Sequence, residues 1–477
     1  MIVDRLLDLV RILRPLRHRD FRLLWTGMTA SLIGDGIFIV SLAWQVYELS
    51  NTPTALSIVG IAITVPQIIF LLLGGVMSDR FDRRRVMIAA DALRMVSVAI
   101  LGILSLAGTL ELWHIILVAA AFGAGTAFFG PAFDAIVPQL VPSKDLNQAN
   151  SLDQFIRPAA ARMIGPAIGG WLIAAWGGRV GNAFLINALT FLASIVCVFL
   201  MKGRAVERSS EERGKSAFHE IREGFRFVRS RVWLWGTLLA ATLAYLIFWG
   251  PSEVLLPFLV KNQLGGTARD LGFVFALGGL GAMFAAVVMG NRDMPRRHIT
   301  FMYGVWTIST IAVAGYGIAR FPWQAMVASF VFNALEGAGT IVWATTKGRL
   351  VPQRLLGRVS SFDWFISIGL VPISFALTGP VAAVFGVRET LIGAGVLGGI
   401  VTLVFLFIPG MRDLERNGDL ARAIRGDDAA LSLPITGSFD GPMIPAAFAE
   451  PVAALPAVPP VSETALAVPE SGRDTGS

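Results

Sequence analysis

Twelve stretches of this chain are each about twenty residues long or more and almost wholly apolar. They lie at roughly 22–49, 54–77, 86–109, 113–138, 150–176, 180–201, 232–259, 268–290, 299–319, 322–346, 360–384 and 388–409. A helix needs about 20 apolar residues to cross a bilayer's hydrocarbon core. Backbone groups inside lipid must bond within their own segment, so runs of this length can only be helices. Apolar residues make up 55% of the chain before its 50 glycines are added, and charged residues only 15%. Soluble domains hold about 45–50% apolar residues with glycine included and about 25% charged ones. The excess cannot be hidden in soluble cores, which excludes a soluble enzyme, a disulfide scaffold and a wholly disordered chain. The one cysteine, Cys197, excludes an intrachain disulfide and any Cys-based zinc or iron–sulfur site. No signal-peptide cleavage pattern precedes the first run, so it is expected to remain as a span.

The placement of charge sets the orientation. With the N-terminus in the cytosol, 32 of the 40 Lys and Arg fall on cytosolic segments. Arg179, Lys261, Arg269, Arg320 and Arg388 fall outside, and Arg94, Arg157 and Arg162 lie within spans. Such a bias puts both termini in the cytosol and demands an even number of spans. It also accounts for the net charge of +7 without nucleic acid.

Residues 1–21 read as an amphipathic cytosolic N-terminus, with Ile2, Leu6, Leu9 and Leu13 sharing one face. In the linker 202–231, Phe218, Ile221, Phe225 and Val228 form a stripe opposite Arg222, Arg226 and Arg229. Both patterns suit helices lying in the headgroup region. From 411 to 477 the chain carries 8 of its 24 prolines and many Ala, Ser, Asp and Glu, a composition that predicts a coreless, disordered cytosolic tail.

The two halves, 22–201 and 232–410, echo each other. Val141-Pro142, Leu146, Ser151 and Asp153 recur as Val351-Pro352, Leu356, Ser361 and Asp363. Thr54-Ala55 and Arg83-Arg84 recur as Thr267-Ala268 and Arg296-Arg297, and Gly165-Pro166 as Gly379-Pro380. The offset spans six helices, so both copies have the same orientation in the membrane, as in one known transporter plan.

After span 2 comes Gly75-Val-Met-Ser-Asp79-Arg80-Phe-Asp82-Arg83-Arg84-Arg85. Gly75 lets helices approach closely, and Asp79 could cap a helix N-terminus. This run resembles the signature that major facilitator superfamily transporters carry between helices 2 and 3, with Asp82 where that family usually has Gly. Span 5 contains Gly165-Pro166-Ala-Ile-Gly169-Gly170, physically a packing seam with a bend. It is similar to the antiporter motif of the superfamily's drug–proton exporters. Arg19-Asp20-Phe21-Arg22, Gly34-Asp35-Gly36 and Pro131-Ala132-Phe133 with Val137 to Pro142 resemble the macrolide-efflux and enterobactin-exporter branch. The resemblance covers about residues 18–410. It implies an all-α integral membrane protein of two parallel-repeat six-helix bundles, the major facilitator fold. Span 4 lacks the arginine of many proton-coupled members, so any such role falls to another residue.

Charges within lipid are costly and mark function by default. At about 1.5 Å per residue, Asp35, Arg162 and Glu336 lie near mid-bilayer, and Glu253 is placed near the outer mouth. A carboxylate stripped of water favours its neutral form and can load and release protons. Asp35 is read as the proton site, with Arg162 as its partner or as an anion hook, and Glu336 as a contact for cationic substrate. A structural Asp35–Arg162 ion pair is the plainer reading. Trp44, Gln45, Phe129, Phe248 and Trp343 are expected to line a cavity between spans 1, 4, 7 and 10, as the resemblance implies. Asp91, Arg94, Asp134, Asp153, Arg157 and Asp363 sit near cytosolic ends and read as a gate, with permanent stapling as the alternative.

Gly214-Lys215-Ser216 lacks the earlier glycine of a phosphate loop, and no His-Glu-x-x-His occurs. The chain is therefore read as a non-enzymatic, cofactor-free, monomeric secondary transporter of the bacterial inner membrane. Its expected partners are a small-molecule substrate such as a drug or siderophore, protons and bilayer lipid. A lipid flippase of the same fold and a signalling scaffold acting through its tail are the alternatives. A fluorescent protein fused after Ser477 should be bright, and alkaline phosphatase inserted at Arg320 should be active. The reverse pattern contradicts the topology.

Overall fold

The computed structural model describes residues 11–142, 145–202, 217–352 and 369–420, together with 355, 356, 359, 362, 363, 365 and 366. The described residues form helices and turns, with no strand among them. In chain order the first half holds α1 (Arg19–Leu49), α2 (Pro53–Arg80), α3 (Arg83–Ala107), α4 (Leu112–Leu140), α5 (146–175) and α6 (Val180–Phe199). The second holds α7 (Val232–Gln263), α8 (Ala268–Gly290), α9 (His298–Ile318), α10 (Pro322–Leu350), α11 (Val371–Phe385) and α12 (Val387–Leu406). Among the described residues ten of these are long and apolar enough to cross a membrane. The other two are α5, which is broken into three segments, and α11, which follows the partly described stretch 355–370.

Local chemistry sets the ends. Pro53 and Pro322 open α2 and α10 in the first turn, where no donor is needed. Thr267 and Asp270 cap α8 reciprocally, at 3.3 Å and 2.8 Å. Asp82 caps α3 by accepting from the Arg84 N–H at 2.9 Å. Its φ of −58° needs no glycine, so the departure from the family signature leaves the turn intact. Gly108, at φ 71°, ends α3.

The packing within each half repeats with a shift of six helices. α2 packs on α4 as α8 does on α10, α3 on α6 as α9 on α12, and α1 on α6 as α7 on α12. Large apolar side chains such as Leu189, Phe199, Ile318 and Val384 point outward, as a lipid solvent permits.

Both ends of the described chain lie on one side. The Lys202 N–H reaches Asp20 at the start of α1, and Glu415 accepts from the Thr300 N–H and hydroxyl at the start of α9. This is the terminal side; the other is the distal side. Met411, Leu414 and Leu420 are buried against Trp233, Leu234 and Tyr303. The first ten residues of the tail expected from 411 are therefore anchored by three apolar side chains that cover the end of the second half. Residues 421–477 and 1–10 lie outside the described set. The linker helix Ala217–Ser230 is present, and its Phe227 and Val228 join the same cluster.

Among the described residues the halves meet at several seams. α5 packs on α8, α2 on α11, and the distal end of α1 on α7. Small residues let backbones touch there. A Cβ on Gly170 would stand 2.5 Å from the Ala268 carbonyl oxygen, and one on Gly272 2.5 Å from that of Pro166. Between α1 and α7 the Tyr47 hydroxyl donates to the Val254 carbonyl at 2.5 Å, and the Asn51 amide to Asn262 at 2.9 Å.

Within the first half, a Cβ on Gly36 of α1 would stand 2.6 Å from the Ala161 carbonyl oxygen and 2.8 Å from the Gly165 Cα of α5. Overpacking costs about 1–3 kcal/mol. Gly36→Val should therefore lower the melting temperature of the purified protein by several degrees. Gly348→Ala, where nothing lies within 4 Å of the added carbon, should leave it unchanged or raise it.

Candidate functional site: two charge clusters within the helices

The first cluster lies inside the first half. Arg94 of α3 donates through Nη2 to Asp91 one turn earlier, and its Nη1 stands 3.6 Å from Asp35 Oδ2 on α1. Its guanidinium carbon lies 4.8 Å from the Phe129 ring centre and 4.6 Å from that of Phe191. Aromatic faces stabilise a desolvated cation there. Gly125 of α4 leaves room for the arginine stem, since a Cβ would stand 2.7 Å from Arg94 Cγ. The side chains of Arg94 and Asp91 are 3% and 0% exposed, but that of Asp35 is 23% exposed. Asp35 Oδ1 is buried and has no hydrogen-bond partner.

The second cluster spans the halves. α5 carries a π-helical turn, Pro158–Ile164. Pro166 has no N–H to offer the Arg162 carbonyl, and the Gly165 N–H bonds the Ala160 oxygen five residues back. Arg162 sits on this turn against α8, where a Cβ on Gly279 would stand 2.6 Å from its carbonyl. The carboxylates near enough to act on it are Glu253 and Glu336. Glu253 is itself on a π-helical turn, Pro251–Leu255, after Gly250-Pro251. Its side chain carries accessible surface. Glu336 of α10 accepts from the Thr340 hydroxyl at 2.9 Å.

Arg162 is therefore not the partner of Asp35. Arg94, two helices from Asp35, holds that place because the bend at Pro166 turns Arg162 toward the second half. Glu253, placed near the outer mouth by its distance along the span, is also one of the carboxylates acting on Arg162. It was legible in principle from Gly250-Pro251, which matches the Gly165-Pro166 break beside Arg162. Each cluster counts one arginine against two carboxylates. Among the described residues no group of His, Cys, Asp and Glu is arranged to hold a metal ion.

Residues 11–424 match the transmembrane secretion effector family. The chain belongs to this family of major facilitator transporters. A relative is the multidrug efflux pump Tap of Mycolicibacterium fortuitum, 29% identical over 82% of this chain and 96% of its own length. Another is macrolide efflux protein A of Streptococcus pyogenes, 23% identical over 83% of this chain and 97% of its own. Two solved structures share the fold. A bacterial homologue of the lysosomal transporter Spinster gives a TM-score of 0.58 at 14% identity, covering 86% of this chain and 98% of that one. The nucleoside transporter NupG gives 0.60 at 9% identity, covering 81% and 98%. The chain is thus a multi-pass membrane transporter and not an enzyme.

The residues expected to line a cavity are distributed otherwise in this major facilitator chain. Gln45 is buried and accepts from the Ser105 hydroxyl of α3 at 2.7 Å. Phe129 is the platform under Arg94. Phe248 is buried among Tyr245, Trp249 and Phe332. Trp343 is buried and donates to Asp363 Oδ2 at 2.9 Å. Trp44 lies at the distal end, where it donates to Glu48 at 2.8 Å and holds Lys261 Nζ 4.9 Å from its ring.

The remaining gate residues pair within each half. Arg157 binds Asp153 at 2.7 Å, stands 3.8 Å from Asp134 and lies over Phe133. Asp363 pairs with Lys347 at 2.9 Å; Lys347 looked like a loop residue in the sequence but is buried within α10. Arg84 donates to the Val198 and Phe199 carbonyls at 3.2 and 2.8 Å, tying α3 to the end of α6. Arg83 lies beside it, lining a small cleft with Asp82, Ile136 and Gln139. The side chains of Gly75, Asp79 and Arg80 lie outside the described set. Gly165 and Gly169 pack on α1, and Gly170 on α8, so the antiporter-like run is a seam on two sides.

Removing one member of a buried ion pair costs about 3–5 kcal/mol, because the other charge is stranded. Arg94→Gln should therefore sharply reduce the yield of monodisperse protein, and Asp91→Asn in the same chain should restore most of it. Wild-type yield from Arg94→Gln alone would mean that the cluster does not bear on folding.

Proposed function

We propose that this transporter is a proton-coupled exporter of amphipathic small molecules, working by alternating access. The observation that carries this is the charge balance within the membrane. In both clusters one arginine answers two carboxylates, leaving one negative charge in a medium where an uncompensated ion is costly. The surplus is relieved by a proton or by a cation. Asp91 is sealed under Arg94, whereas Asp35 keeps accessible surface. Asp35 is then the group that takes up and yields the proton. Glu253 and Glu336 share Arg162 and face the region between the halves, where the surplus carboxylate draws a cationic group on the substrate. The efflux activities named for the multidrug and macrolide relatives support this direction of transport.

The basic residues of the terminal side assign it to the cytosol of a bacterial cell membrane. The contacts through Tyr47, Asn51 and Lys261 then lie on the outer side. For the cycle to turn, these distal contacts open while the Arg157 and Asp363 sets trade partners across the halves. A protein exporting its substrate this way acts as a monomer and needs no cofactor.

The test is a fluorescent cationic drug in proteoliposomes under an imposed pH gradient, in both directions. Wild-type protein should move the dye against the proton flow. Asp35→Asn should lose at least ten-fold of gradient-driven transport and of substrate-induced proton flux. Glu336→Gln should weaken dye binding and leave transport of a neutral substrate less affected. Undiminished proton counterflow in Asp35→Asn removes that residue from the role.

A further inference from the structure

Beside the transport pathway, the second half carries an apolar groove of about 310 Å³ on its outer surface at the terminal side. Its walls include Phe225 of the linker helix, Trp235 and Leu239 at the start of α7, and Phe362 and Ile366 just before α11. Arg229 is the one charged side chain among the described residues of its lining. None of these residues takes part in either charge cluster.

The linker helix is held in place from below, since Phe227 and Val228 are buried in the second half's core. That leaves Phe225, half exposed, turned into the groove, where its ring centre lies 6.2 Å from that of Phe362. Arg229 stands four residues on, on the same helix face, and is exposed, as is the neighbouring Arg226. Leu239, deeper along α7, is also exposed to the groove. The groove thus runs from arginines at the level where α7 begins to apolar side chains one or two turns into the membrane-spanning helix. A soluble partner would meet the arginines but not the apolar walls inside the bilayer. The linear order of positive charge, aromatic rim and hydrocarbon depth is that of one lipid of the leaflet.

We propose that this groove is a binding site for a single anionic phospholipid, with one acyl chain between Phe225, Leu239 and Ile366 and its phosphate at Arg229 and Arg226. Charge complementarity selects the occupant. Basic residues at a membrane surface favour an anionic headgroup by about fivefold each. A zwitterionic lipid fills the same apolar walls without that gain. The occupant bridges the linker helix to the segment leading into α11, so it braces the link between the halves from the lipid side.

Vesicles containing the full chain and a trace of phosphatidylglycerol with a diazirine-bearing acyl chain would be irradiated, and the cross-linked peptides mapped. Adducts should concentrate at 225–239 and 362–366. Unlabelled phosphatidylglycerol should compete them away several-fold better than phosphatidylcholine of the same chains. Arg226→Gln/Arg229→Gln should abolish that headgroup preference, and Leu239→Trp, which fills the groove, should cut the adducts while leaving dispersity unchanged. Equal competition by the two lipids overturns the proposal. So do adducts spread evenly around the helices, unaltered labelling in both variants, or a chemical cross-link seating residues 421–477 or a second copy of the chain in the groove.

Discussion

An ion inside a bilayer must find an opposite charge within the protein, and this constraint shapes the interior of the transporter. Arg94 and Arg162 are the two organising cations. The first is sealed beneath Phe129 and Phe191 and gathers carboxylates from α1 and its own helix. The second stands on a distorted turn and gathers carboxylates from α7 and α10. Neither balance closes to zero. A net charge that cannot be relieved would be selected against in lipid; one that a proton or a cationic ligand can relieve is a device for coupling.

Backbone defects put the second cluster where it is. A regular helix would carry Arg162 on a fixed face of α5. Pro166 removes one donor, the ladder slips to a five-residue bond, and the face rotates toward α8. Gly250-Pro251 produces a similar turn under Glu253. The two distorted turns lie in opposite halves and their charges act on each other, so relative motion of the bundles changes that interaction directly. Glycines at 170, 272 and 279 allow the contact to be close. In lipid, helices have little hydrophobic reason to associate, and close backbone packing supplies part of what burial supplies in water.

Much of this was legible beforehand and some was not. Hydropathy located the crossings, and the recurrence of Val141-Pro142 as Val351-Pro352 found equivalent positions, since these residues end α4 and α10. Asp35, Arg162 and Glu336 were recognisable because a charge in an apolar run stands out against its neighbours. Their partners were not. Arg94 read as a member of a cytosolic gate with Asp91, because i and i+3 contacts can be read along one helix while the approach of α1 cannot. Trp44, Gln45, Phe129, Phe248 and Trp343 looked like cavity residues because size and aromaticity are visible in a sequence. Which of a helix's faces meets a neighbour is not.

The order of residues by itself determined that this chain lives in lipid and that it crosses in two like-oriented sets. Those properties depend on transfer free energies summed over local segments, and a sum over a segment needs no knowledge of its neighbours. Tertiary structure alone decided that Asp35 answers to Arg94 and that Arg162 answers to Glu253 and Glu336. Electrostatic energy in a low dielectric falls with distance between groups far apart in the chain, and those distances exist only once the helices have packed.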